Sequence, residues 1–326
     1  MSASRNSSSE ERPPGGPFSG QTCPVIVGPT AVGKTGLVTS LAERFPIEVI
    51  SLDSRQIYHG LRIGTAQPTA DELAVCPHHL IDFISPAEKY DAIRFRQDFK
   101  RVYEEISGRG GQPLLVGGAG MYLTALREGF MQIPGSTPER LAEVRADLDL
   151  LTDGEIRTRL EKIDPESFDR IHNNDRYRSQ RALEVFELSE RTMSALKEAQ
   201  QPDPALGLQF PTVVLERSVE ELDQRIAQRT ELMLAGGWIE ETEAVLAQHA
   251  PDCPGLLSIG YREIVMVLAG DLNKQDLKNA VILATRQYAK RQRTWFRQIP
   301  KAITGEPDSP ELLSFIMDSF NEEENQ

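Results

Sequence analysis

GPTAVGKT, residues 28–35, decides how this chain is read. The string fits the pattern of Gly, four variable residues, Gly, Lys and Ser or Thr that cradles phosphate. It follows an apolar run, CPVIVG (23–28), and opens TGLVTSLAERF (35–45), where Leu37, Val38, Leu41, Ala42 and Phe45 share one helical face. A strand, a loop and a helix are the context the motif needs. Gly28 and Gly33 let the loop of Pro29, Thr30, Ala31 and Val32 turn its N–H groups, which proline itself lacks, and those of the helix start toward an anion. Lys34 neutralises an outer phosphate, and the Thr35 hydroxyl is placed to ligate Mg²⁺. The string predicts diphosphate or triphosphate binding and leaves the reaction open.

Working outward, IEVISL (47–52) reads as a second strand, and PLLVG (113–117) as a third after a helical stretch from about residue 92 to 106. Strands alternating with helices predict an α/β fold with a parallel sheet, a P-loop core. A P-loop ATPase would carry an acidic Mg²⁺ ligand at the end of a second apolar strand. PLLV ends instead in Gly117, Gly118, Ala119 and Gly120, and only IEVISLDSRQ offers an acid at a strand end, Asp53. Parallel-sheet logic places Asp53 in the same carboxyl-end crevice as the phosphate loop. It is either a base beside the bound phosphates or a cap for the segment that follows.

From Pro134 to about Gln201 the pattern is helical and charge-laced, and FPTVVLE (210–216) reads as a strand returning to the sheet. The expected organisation is a disordered tail over 1–21, core residues 22–134, a helical insertion over 135–207, further core with carboxyl-terminal helices over 208–304, and a loose acidic tail over 305–326. Long helices are expected from Glu220 to Gln248, Arg262 to Ala269 and Leu277 to about Arg297.

The 326 residues carry 36 Lys and Arg against 49 Asp and Glu, a net charge of −13. That excludes a protein that coats nucleic acid with its whole surface, because phosphate binding needs local cations. One confined patch qualifies. TRQYAKRQRTWFR (285–297) has five basic residues and no acidic one, and Arg286, Lys290, Arg293 and Arg297 recur at helical spacing. A smaller cluster, Arg176, Arg178 and Arg181, lies in the insertion. Cys23, Cys76 and Cys253 fit neither a zinc spacing nor a disulfide framework. His78 and His79 lack a third ligand at suitable spacing, so hydrogen-bonding roles are expected, and Trp295 and Phe296 are expected to pack the helix on the core. No apolar run approaches the ~18 residues of a membrane span, and the amino-terminal stretch has no hydrophobic signal core, so a cytoplasmic protein is expected.

Seven strings, GPTAVGKT, ISLDSRQIYHGLRIGTAQPT, PHHLIDF, LLVGGAGMYL, RALEVFELS, IGYREI and TRQYAKRQRTWFR, together resemble the bacterial tRNA dimethylallyltransferases in order and spacing over residues 22–300. The resemblance implies a nucleotide-kinase-like core with an insertion that grips the anticodon stem of tRNA. It implies transfer of a dimethylallyl group, with Mg²⁺, from dimethylallyl diphosphate to N6 of the adenosine just 3′ of the anticodon. By that resemblance Gly28 to Thr35 hold the diphosphate, Asp53 is the general base and Arg225 helps hold the leaving group. Ser54, Arg55, Gln56, Ala119, Arg178, Arg181, Arg286, Gln287, Lys290, Arg291 and Arg293 then meet the tRNA. Gln67 stands where the family usually has lysine and Ala119 where it usually has threonine. An adenine amine is a poor nucleophile, so a carboxylate taking its proton helps attack, and the target base must leave the stack. A monomer is expected. The competing readings are an isopentenyltransferase of free adenylate, which needs neither insertion nor basic stripe, and a nucleoside or nucleotide kinase.

Overall fold

The computed structural model describes residues 21–130, 133–199 and 206–324, so the expected tail lies almost wholly outside the described residues. Its first part runs β1 (Val25–Val27), α1 (Lys34–Ala42), β2 (Ile47–Leu52), α2 (Ala70–Val75), β3 (His78–His79), α3 (Ala92–Gly108), β4 (Gln112–Gly117) and α4 (Gly120–Glu128). Five helices follow, α5 (Pro138–Asp149), α6 (Asp153–Ile163), α7 (Pro165–Arg170), α8 (Arg176–Ser189) and α9 (Met193–Ala199). The last part comprises β5 (Thr212–Leu215), α10 (Val219–Ala235), α11 (Trp238–Leu246), α12 (Tyr261–Ala269), α13 (Leu277–Phe296), β6 (Ile303–Gly305) and α14 (Pro310–Glu324).

The six strands form one sheet in the order β3-β2-β4-β1-β5-β6, parallel throughout. Strands covered on both faces read as continuous apolar runs, and VIV and TVVL are buried at every position. One face carries Phe95, Phe99, Val102 and Ile106 of α3 with Leu123 and Leu126 of α4. The other carries Leu37, Val38 and Leu41 of α1 with Leu222 of α10 and Leu312, Ile316 and Phe320 of α14. A third cluster joins Ile57 and Leu61 to α11, α12 and α13 through Trp238, Tyr261 and Val281.

The chain divides into two compact units, residues 1–127 with 204–326, and residues 128–203. The second unit therefore begins before the expected 135 and ends before the expected 207. Its described residues are helical, around a core of Val144, Leu148, Ile156, Leu160 and Leu183. Within it, buried Asp164 caps α7 and accepts hydrogen bonds from Ser167 and Ser194. Burial pushes its pKa up, and these bonds to the charged form outweigh that push and hold the carboxyl below its ordinary range.

Two expectations are corrected. The helix from Glu220 to Gln248 is broken at Gly236 and Gly237, the latter at φ 98°, a left-handed conformation open to glycine. The acidic tail from 305 is not loose. β6 adds to the sheet edge, and α14 buries Leu312, Ile316 and Phe320 at 1% exposure each. Those residues recur every four positions, so the average acidity of the segment hid a narrow apolar stripe.

Candidate functional site

The loops after β1, β2 and β4 leave the sheet at its carboxyl edge, where parallel sheets bind ligands. The β1 loop ends at Gly33, φ 108°, which opens α1 with no side-chain cap, so the first-turn amides remain available to an anion. Ala31 also takes a positive φ, 66°, a conformation that costs a residue with a Cβ and needs outside support. That support comes from residues distant in sequence. Arg225 Nε donates to the Ala31 carbonyl at 2.7 Å, and Arg217 Nε to the Val32 carbonyl at 2.8 Å. Arg229 Nη2 donates to the Thr30 hydroxyl at 2.6 Å, and the Thr30 amide donates to Gln292 Oε1 at 2.9 Å.

Lys34 Nζ turns back to the carbonyls of Gly28 and Pro29, at 3.0 and 3.2 Å. Burial of its ammonium pulls the pKa down to about 8; Asp53 opposes this and Arg229 adds to it. Arg229 is likewise held below its ordinary range by burial, against the pull of Asp53 and with a push from Arg225. Its Nε is buried and, among the described residues, has no hydrogen-bond partner.

Asp53 follows the last residue of β2. Its Oδ1 accepts the amides of Arg55 at 2.7 Å and Gln56 at 3.2 Å, so the capping alternative is realised by one oxygen. Among the described residues no hydrogen bond reaches Oδ2, and Asp53 lines two cavities, so capping leaves an oxygen available for chemistry. Next to it β4 approaches β2 so closely that a Cβ on Gly117 would lie 2.1 Å from the Leu52 carbonyl oxygen.

The larger cavity, about 760 Å³, contains Thr30, Ala31, Gly33, Lys34 and Thr35 of the loop with Asp53, Gly118, Arg225 and Arg229. The smaller, about 390 Å³, is lined by Ser54, Arg55, Ser258, Arg262, Thr285 and Arg291. Thr30, Asp53, Arg229 and Tyr288 belong to both. Among the described residues no cluster of three or more His, Cys, Asp or Glu could hold a metal alone. Thr35 lies exposed on the wall of the larger cavity beside the loop. That donor set fits Mg²⁺, which keeps waters and binds through one or two protein oxygens plus substrate phosphates.

Other expected site residues are placed variously. Gln56 is engaged internally, receiving Ser51 Oγ at 3.1 Å and donating to the Ala66 carbonyl at 2.8 Å. Gln67 donates to the carbonyls of Gln56 and Tyr58 from the wall of the larger cavity. Ala119 stands just past β4, where the resemblance implies a tRNA contact. It lines neither cavity and packs against the apolar cluster of α3 and α4, its amide on the Leu52 carbonyl. On α13, Lys290, Gln287 and Arg291 are exposed, as is Arg297 just past its end, and Arg291 lies over the Tyr288 ring. Arg293 is half-buried. Arg286 pairs with Asp223 of α10 at 3.2 Å, so the compensating acid that the run itself lacks is supplied from another helix. Phe296 is buried in the core, and Trp295 packs against the same cluster. His79 bonds Glu48 at 2.7 Å, and His78 bonds the Cys76 carbonyl at 2.8 Å. In the helical unit Arg176 braces Asp153 and the Leu151 carbonyl, Arg178 pairs with Asp175, and Arg181 shares Glu184 with Arg145.

Sequence reasoning missed Arg217, Arg229, Gln292, Tyr288 and Arg262. Arg229 lies one turn after Arg225, a spacing that could have paired them on one face of α10. Gln292 sits on the apolar side of the basic run, where its polarity was the signal.

The family described as IPP transferase matches residues 56–299, and the family described as isopentenyl transferase matches residues 22–82. A tRNA dimethylallyltransferase of Burkholderia orbicola (strain MC0-3) is 41% identical over 322 residues, 97% of each chain. One from Burkholderia ambifaria is 42% identical over 306 residues, covering 92% of this chain and 94% of that one. The crystal structure of a tRNA isopentenylpyrophosphate transferase from Bacillus halodurans is 32% identical with a TM-score of 0.67, covering 94% of this chain and 98% of that one. A eukaryotic dimethylallyltransferase captured acting on tRNA is 29% identical with a TM-score of 0.70, over 85% of this chain and 70% of that one.

Proposed function

Because the chain belongs to the tRNA dimethylallyltransferase family, we propose that dimethylallyl diphosphate occupies the larger cavity, a flipped adenosine of tRNA enters the smaller, and they react at Asp53. The activity is transfer of a dimethylallyl group to tRNA. The observation that carries the assignment of sites is the wall common to both cavities, with the phosphate loop on one side and Arg55, Arg262 and Arg291 on the other.

In this reading the first-turn amides of α1, Lys34, Arg225 and Arg229 hold the diphosphate, with Arg229 Nε a donor that has no other partner among the described residues. Thr35 would contribute one oxygen to Mg²⁺, which supplies charge to the departing diphosphate. Adenine N6 forms a bond to the first carbon of the prenyl group as the bond from that carbon to oxygen breaks. The diphosphate leaves with the electron pair, and the N6 proton passes to Asp53. Preorganised cations and amides matter most where charge develops, here on the leaving oxygen. The acceptor is the adenosine just 3′ of the anticodon, held through the basic stripe of α13 and the arginines of the helical unit, by a monomer working in the cytoplasm.

Incubation with labelled dimethylallyl diphosphate, Mg²⁺ and unmodified tRNA tests this by locating the label. Label on N6 of that adenosine is expected. Label on AMP or ATP instead would support the free-nucleotide reading, and formation of ADP from ATP would support a kinase.

A further inference from the structure

The donor cavity contains Arg225 in its wall but not Arg217, yet Arg217 is tied as closely to the phosphate loop. Its side chain is only 14% exposed, donates to the Val32 carbonyl at 2.8 Å and pairs with Glu221 one turn along α10. Every described peptide is trans, so the Val32 carbonyl and the Gly33 N–H point in opposite directions. Holding that carbonyl therefore fixes the direction of the Gly33 amide, and Gly33 forms part of the donor cavity's wall.

Arg217 is itself placed by the carboxyl-terminal segment. It stands two residues beyond the end of β5, and β5 pairs with β6 from Val213 and Ile303 to Leu215 and Gly305, continued by the Glu216 amide on the Gly305 carbonyl at 2.8 Å. Past β6, Asp308 approaches Arg217 Nη2 at 3.8 Å, and a Cβ on Gly33 would lie 3.6 Å from the Pro307 ring. Phe320 of α14 packs on Phe45, just beyond α1, with ring centroids 5.3 Å apart. The segment from Ile303 to Phe320 thus packs beside the loop whose residues line the donor cavity.

We propose that Arg217 is a positioning residue for the donor diphosphate: without touching it, Arg217 fixes the Val32–Gly33 peptide so that the Gly33 amide is preorganised, and the segment from Ile303 to Leu312 holds Arg217 in place. This rests on the donor reading of the larger cavity. Preorganisation raises affinity by removing the cost of ordering on binding, so the loss falls on donor binding and not on RNA binding.

Inorganic diphosphate, titrated with Mg²⁺ against the full chain, serves as probe beside steady-state transfer to tRNA. Arg217→Met is expected to weaken diphosphate binding and raise the donor KM by about tenfold, with kcat and tRNA KM within twofold. Arg217→Lys, which keeps a donor able to reach the Val32 carbonyl, is expected to recover to within threefold. Should Arg217→Met not fold, Arg217→Gln undergoes the same titrations with the same expected direction. Unchanged diphosphate affinity in the folded variant, or an equal loss of donor and tRNA affinity, overturns the proposal. Failure of the unaltered chain to bind diphosphate would instead overturn the donor reading.

Discussion

Gln292 Oε1 accepts the Thr30 amide at 2.9 Å while its Nε2 donates to the Gly118 carbonyl at 3.0 Å. One buried side chain of the basic helix thus joins the loop after β1 to the loop after β4, coupling that helix to the phosphate loop. Replacing Gln292 with Leu keeps the volume and leaves the buried Gly118 carbonyl and the part-buried Thr30 amide unsatisfied, at about 1 to 3 kcal/mol for a fully buried group. The expected outcome is a melting temperature lower by several degrees and a raised donor KM. A thermal melt with and without diphosphate, beside steady-state transfer, measures both, and an unchanged melt would mean that water takes over the two bonds.

Asp53→Asn preserves an oxygen for the amides of Arg55 and Gln56, so the turn should persist. Turnover is expected to fall by about a hundredfold or more while tRNA affinity stays within a few-fold, because a positioned base acts in the transition state. Single-turnover transfer is the measurement. Near-normal rates would remove Asp53 from the proton transfer.

Neutralising Lys290 and Arg293 together should weaken tRNA binding and flatten its salt dependence, by roughly 0.7 to 0.9 log units for each phosphate that is no longer neutralised. Arg286 already has Asp223 as its partner, so Arg286→Gln should change the slope less. Equal slopes for all three proteins would mean that the stripe meets no phosphate.

Lys34 is held at about 8, below its ordinary 10.5, so the folded chain disfavours the charged form. The cost to stability is full below about pH 8 and fades as pH rises from there to the unfolded value. Lys34→Met should therefore melt higher than the unaltered chain at pH 7, with the advantage shrinking toward pH 10. A bound diphosphate favours the ammonium, so donor affinity should fall above pH 8 by up to about tenfold per unit, a decline that Lys34→Arg, which stays charged, should lack. Titrations of diphosphate from pH 7 to 10 test the sign; a flat profile would place the ammonium outside the anion's reach.

The sequence by itself determined the phosphate loop, the acid at the end of β2, the parallel alternation and the family. Those features are encoded over a few residues: Gly33 permits a left-handed turn, Lys34 follows it, and VIV has no polar side to expose. The basic run on α13 was legible for the same reason, as a local helical period. Only the tertiary structure decided what steadies the loop, since Thr30 meets Gln292 and Arg229 across separations of 262 and 199 residues, and Val32 meets Arg217 across 185. It also turned Ala119 into the core and drew Leu312, Ile316 and Phe320 of an acidic terminus onto α1. Those outcomes depend on which surfaces the folded sheet leaves to be covered, and no short window of sequence contains that information.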